Sequence, residues 1–551
     1  ATPATQATPA TGVRIVVAGA EAGGAGVRAA RLHLRRGKAN SVAEYYLTTA
    51  IDYANGDPHL GHAFEKIGAD VIARYHRMLG DRVWFLIGMD EHGQKVAQTA
   101  ADRGLTPQAL VDEVAGTFQA MWRRLGISND QFMRTTGPAH KSGVQALIER
   151  IFERSPSDFY EKSYEGYYCV GCEAFKQENE IVDGQCILHP TRVLEWVEER
   201  NWFFRLSAYR DFLLAHFDAH PEFLQPESRR NEILSLLRQG LDDVSASRAR
   251  LAWGVPFPRP TSDGEVQTTY VWFDALPNYL TATGFPGAEP KQHWPAQLHV
   301  IGKDITRFHA VIWPAMLKAA GVPLPERIWA HGFVNLGGER FSKSAGVKLE
   351  LGEAIDRFGP DAFRYFLMRE VPFDADGNFS WERFEERYTS DLANGFGNLA
   401  SRTIAMIDRY RARVVPAWRD NDSTRDDDAD VADYLEAMNG FLLHDALKAV
   451  LHNVSGANEY VDRQAPWKLA KDPAAALALD ETLATLARKL AIQTVLLAPF
   501  MPVKAQSVWE QLGGPGAVSD QGIASLGALD PSAWTVTRGA PLFPRDTIPI
   551  F

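Results

Sequence analysis

Apolar positions follow two alternating periodicities up to about residue 340. Residues 45–51 mix aromatic, β-branched and apolar side chains, the composition of a strand. Asn55-Gly56-Asp57-Pro58 breaks that strand. Leu60, Phe64, Ile67, Val71 and Met78 then recur at helical spacing, with Asp57 expected as N-cap, Pro58 in the first helical position and Gly80 at the end. Residues 83–88 are apolar without alternation, as in a strand buried on both faces. Helices are expected from about 108 to 125 and 139 to 154, with a short strand near Phe132. The alternation lapses over 156–255 and resumes near Thr268. Strands are expected at 270–275, 298–304 and 327–334, with a helix carrying Ile305, Phe308, His309, Ile312 and Trp313 before the last. Beyond about 350 the pattern turns helical, with amphipathic segments near 382–413, 427–443, 444–463, 478–498 and 500–511.

This order predicts an α/β fold: a Rossmann-type nucleotide-binding domain split by an insertion and followed by an all-α helical bundle. The expected divisions are a disordered extension over 1–42, the first half of the Rossmann domain over 43–155, and the insertion over 156–255. The second half covers 256–345, a linker 346–385 and the bundle 386–551.

With 551 residues, 45% hydrophobic and 23% charged, the composition is that of an ordinary soluble protein. No apolar run approaches the ~20 residues of a membrane span. A net charge of −11 argues against indiscriminate nucleic-acid binding but leaves room for RNA on a local basic face. Three cysteines point to a reducing compartment. A cytoplasmic location is therefore expected, or an organellar one if the Arg-rich, acid-poor residues 1–42 act as a targeting leader.

Three clusters carry chemistry. The first is His59-Leu60-Gly61-His62, at the start of the helix after the first strand, where free N–H groups and the helix dipole favour anions. Two histidines three apart are also common at ordinary helix starts. The second is a polar, Gly-flanked loop holding Arg340-Phe341-Ser342-Lys343-Ser344, about 280 residues later. The third is Cys169-x-x-Cys172, thirteen residues, then Cys186-x-x-His189, which uses every cysteine. That spacing predicts a zinc knuckle with a closed, structural four-ligand set.

The first two clusters resemble the HIGH and KMSKS motifs of class I aminoacyl-tRNA synthetases, with Arg340 in place of the first lysine of the second motif. From about residue 43 onward the chain is similar to the methionyl-tRNA synthetase family. The resemblance rests on Tyr53-Ala54-Asn55-Gly56, Gly88-Met89-Asp90-Glu91-His92-Gly93, residues 270–275, Gly302-Lys303-Asp304-Ile305 with Phe308-His309, and Trp313-Pro314-Ala315-Met316-Leu317. Asn398-Leu399-Ala400-Ser401-Arg402 and Ala465-Pro466-Trp467 extend it into the helical region.

The resemblance implies His59, His62 and Lys343 as catalytic residues. It implies ATP contacts from these three together with Gly61, Gly302, Lys303, Asp304, His331, Ser342 and Ser344. A methionine pocket is implied at Ile51, Tyr53, Asp90, Trp272, Ala275, Tyr279, Ile305, Phe308, His309 and Trp313, with Asp90 receiving the ammonium. Aromatic edges suit a thioether, although any one of these rings can equally serve the core. Arg248 is expected to orient the site, and Asn398, Arg402 and Trp467 to read the anticodon. ATP, Mg²⁺ and structural Zn²⁺ are implied cofactors; methionine and its initiator and elongator tRNAs are implied partners. A monomer is expected, with no membrane partner. Synthetases for Ile, Val and Leu carry a large editing insertion, whereas here the roughly 100-residue insertion is largely taken up by the knuckle. A tRNA-independent adenylyl-forming enzyme would lack the knuckle and bundle, and a non-catalytic RNA-binding paralogue would have lost His59, His62 or Lys343.

Overall fold

The computed structural model describes residues 42–169, 174–176, 180–187, 189–249, 251–287, 293–336, 339–340, 351–419 and 422–544. At its centre is a seven-stranded sheet of β1 (Glu44–Thr49), β2 (Asp52–Tyr53), β3 (Arg82–Asp90), β4 (Gln131–Arg134), β5 (Leu224–Gln225), β6 (Leu298–Gly302) and β7 (Ile328–His331). The order across it is β5-β7-β6-β1-β3, with β2 and β4 both on β3, and every pairing is parallel.

Successive strand residues feed opposite cores. Leu47, Phe85 and Val300 point into one hydrophobic cluster, while Tyr46, Leu86 and Ile301 point into the other. Both faces are covered, so the strands read as continuous apolar runs rather than alternating ones. Parallel strands need crossovers, and helix α1 (Leu60–Leu79) supplies the first, from β2 to β3. Its left-handed C-cap is Gly80, at φ 94°.

Two local expectations differ from the structure. The N-cap of α1 is His59 rather than Asp57, and Pro58 precedes the helix. The imidazole accepts the orphan N–H of Gly61 at 3.1 Å, and His62 Nδ1 accepts from the His59 N–H at 3.2 Å. Residues 270–275, strand-like in composition, form instead a helix at Val271–Ala275, directly after a two-residue strand at Thr268–Thr269. Asp274 explains the change, because the helical turn brings its buried carboxylate between His92 and His140.

The stretch 156–255 has two parts. Phe159–Cys169 pairs antiparallel with Glu195–Phe204 as a long hairpin. Helices Arg210–Ala219 and Glu227–Gln239 then bracket β5, which extends the central sheet beside β7. After β7, Val334–Leu336 pairs with Gly377–Phe379, and between them helices Leu351–Phe358 and Pro360–Glu370 join the same core as the bundle. Arg364 fastens this junction. It is fully buried, ion-paired with Asp70 of α1 at 2.7 Å, and donates to the carbonyls of Pro499 and Phe500. The bundle comprises Gly397–Arg411, Asp422–Asn439, Leu443–Gln464, Ala476–Leu497 and Pro502–Leu512. No helix among the described residues is long and apolar enough to cross a membrane.

Candidate active site

The carboxyl ends of β1, β3, β6 and β7 and the start of α1 enclose a cavity of about 380 Å³. Ligands of open parallel sheets bind at this edge. On one side stand His59 and His62, stacked 3.6 Å apart between ring centroids. A Cβ on Gly61 would lie 3.1 Å from the His59 ring, so glycine leaves that imidazole room. Gly302, Asp304 and His331 also line the cavity. Gly332 follows, and a Cβ there would lie 2.0 Å from the Ala375 carbonyl oxygen.

The other side is formed by Ile51, Tyr53, Asp90, Trp272, Ala275, Tyr279, Ile305 and His309. The parallel register of β2 on β3 sets Tyr53 beside Asp90. His309 Nδ1 faces the Ile305 carbonyl at 3.1 Å, and Nε2 lies 2.7 Å from the Tyr279 hydroxyl. A carbonyl only accepts, so Nδ1 carries the proton and Tyr279 donates to Nε2. Burial pushes His309 down to about 4, keeping it neutral near pH 7. Tyr279 and His309 thus present an uncharged, fixed wall.

Several expected site residues sit outside the cavity wall. Phe308 lies face to face on Trp272, with centroids 3.7 Å apart, and so backs that ring. Trp313 is fully buried behind Tyr279. Arg248 donates to Ser245 and Ser247 and stacks 4.0 Å from the Tyr270 ring, immediately before the turn that carries Trp272. Lys303 pairs with Asp376 at 2.6 Å instead of facing the cavity. Ser342, Lys343 and Ser344 lie outside the described residues, as does Cys172.

Two groups of residues were not legible from sequence. Below the floor, Lys66 meets Asp52 and Glu65, each at 2.8 Å. Asp52 and Glu65 both line the cavity. Burial pushes the Asp52 carboxyl up to about 7 against the pull of Lys66, while the two carboxylates hold the buried Lys66 ammonium above its ordinary value. Behind Trp272, Asp274 accepts from His92 Nδ1 at 2.6 Å and His140 Nε2 at 2.9 Å. The available signal was a charged residue within an apolar run, as in Phe64-Glu65-Lys66-Ile67.

At the hairpin tip, the ligand atoms of Cys169, Cys186 and His189 lie within 4.8 Å of one another, both thiols buried. Ligands around a tetrahedral Zn²⁺ with ~2.3 Å bonds stand about 3.8 Å apart. The separation of Cys169 Sγ and His189 Nδ1 is 3.8 Å. The three groups fit such an ion. In the bundle, Asn398 donates to Asn458 at 3.2 Å, Arg402 pairs with Asp462 at 2.6 Å, and its guanidinium lies 5.9 Å from the Trp467 ring. The indole remains 39% exposed, so it offers a stacking face on the same surface as the two polar groups.

The model of the class I tRNA synthetases of type M matches residues 45–195 and 176–404, which together span most of the sheet domain, the hairpin and the linker. The chain belongs to the methionine-type class I tRNA synthetases. A second model, the anticodon-binding domain of tRNA ligases, matches 428–534. The methionine–tRNA ligase of Streptomyces coelicolor is 43% identical over 532 residues, covering 91% of this chain and 96% of the relative. That of Rhizobium meliloti is 43% identical over 522 residues, covering 92% and 99%. The Mycobacterium tuberculosis methionyl-tRNA synthetase in complex with methionyl-adenylate superimposes with TM-score 0.86 at 41% identity, covering 92% of this chain and 100% of that one.

Proposed function

We propose that this member of the methionine-type synthetases activates L-methionine with ATP and passes it to the 3′ end of its tRNA at the cleft above the sheet. The observation that carries the reading is the meeting, in one cavity, of the stacked His59–His62 pair with Asp90, Trp272, Tyr279 and His309. The methionine carboxylate attacks the α-phosphorus in line, releasing pyrophosphate; the terminal ribose hydroxyl then attacks the acyl carbon and releases AMP. Such transfers depend on positioning and on neutralising charge on the departing oxygens.

His59 and His62 donate to phosphate oxygens as charge builds. Lys343, between Ser342 and Ser344 in the sequence, neutralises charge on the pyrophosphate. Mg²⁺, when bound with ATP, would supply further neutralisation of that charge. Asp304 takes ribose hydroxyls, and Gly302 and His331 border the base. Asp90 receives the substrate ammonium, while Trp272, backed by Phe308, and the Tyr279–His309 wall hold the thioether. Arg248 orients this side by fixing Tyr270. Lys303 reaches phosphate only by leaving Asp376.

Cys169, Cys172, Cys186 and His189 would hold Zn²⁺, whose contribution is a structural cross-link of the hairpin tip. Asn398, Arg402 and Trp467 contact the anticodon of initiator and elongator tRNAs, the indole by stacking. In domain terms, the Rossmann halves 43–155 and 256–345 form the site, 156–255 is the insertion, and 386–551 is the tRNA reader. The reading includes a monomeric cytoplasmic enzyme, which light scattering and cell fractionation check.

The test is exchange of labelled pyrophosphate into ATP with each of the twenty amino acids in turn. Methionine is expected to support exchange more than ~200-fold better than leucine or isoleucine, beyond the ~10–200-fold that one methylene gives. Exchange that ignores methionine overturns the reading.

A further inference from the structure

Lys66 is fully buried, and its ammonium meets three oxygens: the Ala50 carbonyl at 2.9 Å, Asp52 Oδ1 at 2.8 Å and Glu65 Oε1 at 2.8 Å. An ammonium has three N–H bonds, and this set uses all of them. The second Glu65 oxygen lies 3.2 Å from His331 Nε2. The linked groups belong to different walls of the cleft. Ala50 and Asp52 flank Ile51 on the amino-acid floor, and Asp52 is registered against Met89, one step before the Tyr53–Asp90 pair. Lys66 and Glu65 lie on α1, with Lys66 one helical turn beyond His62. His331 ends β7 on the nucleotide side.

Packing alone does not account for a lysine at this position. Desolvating an ammonium is costly, and an apolar side chain of similar length would fill the space without that cost. Lys66 does not line the cavity, yet all three of its partners, Ala50, Asp52 and Glu65, do. In-line attack requires the carboxylate and the α-phosphorus to approach to ~3–3.5 Å, and a slip of about 1 Å costs ~10²-fold. A clamp between the walls that present them therefore controls the rate without touching either substrate.

We infer that Lys66 is a positioning residue, locking the amino-acid floor at Ala50 and Asp52 to the nucleotide wall at Glu65 and His331. This rests on the function proposed above.

Three variants test it in methionine-dependent pyrophosphate exchange. Lys66→Met should raise KM for both substrates and lower kcat ~10²-fold. Glu65→Gln should raise KM for ATP and leave that for methionine within about twofold, and Asp52→Asn should do the reverse. The double variant Asp52→Asn/Glu65→Gln supplies the answer even if Lys66→Met does not fold. Its loss in kcat should fall well short of the product of the single losses in kcat, because both carboxylates act through one ammonium. Multiplicative losses, or a folded Lys66→Met enzyme with one KM or neither changed, overturn the inference. A parent enzyme that shows no methionine-dependent exchange overturns the function itself, whereas normal parent exchange with unaltered variants removes only the role of Lys66.

Discussion

Replacing Asp274 with asparagine tests how the amino-acid side of the cleft is held. The carboxylate is completely buried and accepts from two imidazoles, one on the segment after β3 and one on helix Pro138–Arg154. The far nitrogen of the second ring, His140 Nδ1, lies 2.8 Å from the Thr281 hydroxyl. Burial alone would raise the Asp274 carboxyl, but His92 and His140 outweigh it and hold it at about 2, against an ordinary 3.8. At 1.36 kcal/mol per pH unit, that depression amounts to roughly 2.5 kcal/mol favouring the folded, charged form. Because the folded value lies below the unfolded one, the stabilisation is complete above about pH 4 and disappears as pH falls toward 2. An asparagine offers a single acceptor oxygen, so one imidazole loses its partner. Asp274→Asn should therefore cost ~2–3 kcal/mol at pH 7.5, measured by urea unfolding followed through tryptophan fluorescence, and the gap to the parent should narrow below pH 4. Trp272 and Ala275 share the turn, so KM for methionine should rise about tenfold if ~1.4 kcal/mol of the loss reaches the pocket. An asparagine variant as stable as the parent at pH 7.5, or a gap indifferent to pH, would refute the reasoning.

Other consequences are equally open to measurement. Lys343→Ala should slow pyrophosphate exchange ~10²–10³-fold while equilibrium methionine binding stays nearly intact. A large loss of methionine affinity contradicts that role. Trp467→Ala should raise KM for tRNA ~10-fold or more, given ~1–3 kcal/mol per stacked base, and leave exchange untouched; equal damage to both assays removes the division of labour. Cys169→Ser should release about one zinc per chain by elemental analysis and leave the melting of the bundle unchanged. Retention of the full zinc content counts against the knuckle.

Much of the architecture was legible because parallel strands buried on both faces give apolar runs, and both the first helix and the bundle keep strict periodicity. His59, His62 and Asp90 stood out because turn formers and strand ends place them at one sheet edge. The interior polar networks were not legible, since their partners are remote in sequence. His331 and Glu65 are 266 residues apart, and His92 and Asp274 are 182 apart. Those contacts also explain why 270–275 does not form the strand its composition favours. Tyr270, Val271, Trp272 and Phe273 favour a strand by composition, but the buried Asp274 can meet its two histidines only from a helical turn. The N-cap of α1 was obscured similarly, because imidazole is an unusual capping group and the adjacent Asp57-Pro58 is a common one.

The imidazole pair at the head of α1 and the aromatic floor opposite are expected to serve one adenylation event. A single-turnover experiment addresses it directly: the chain is mixed with labelled methionine and ATP in the presence of pyrophosphatase, and bound methionyl-adenylate is counted after rapid quenching. Adenylate stoichiometric with the parent chain is expected, formed ~10²-fold or more slowly by His62→Ala at unchanged methionine occupancy. Adenylate formed at the parental rate by His62→Ala, or none formed by the parent, would contradict it.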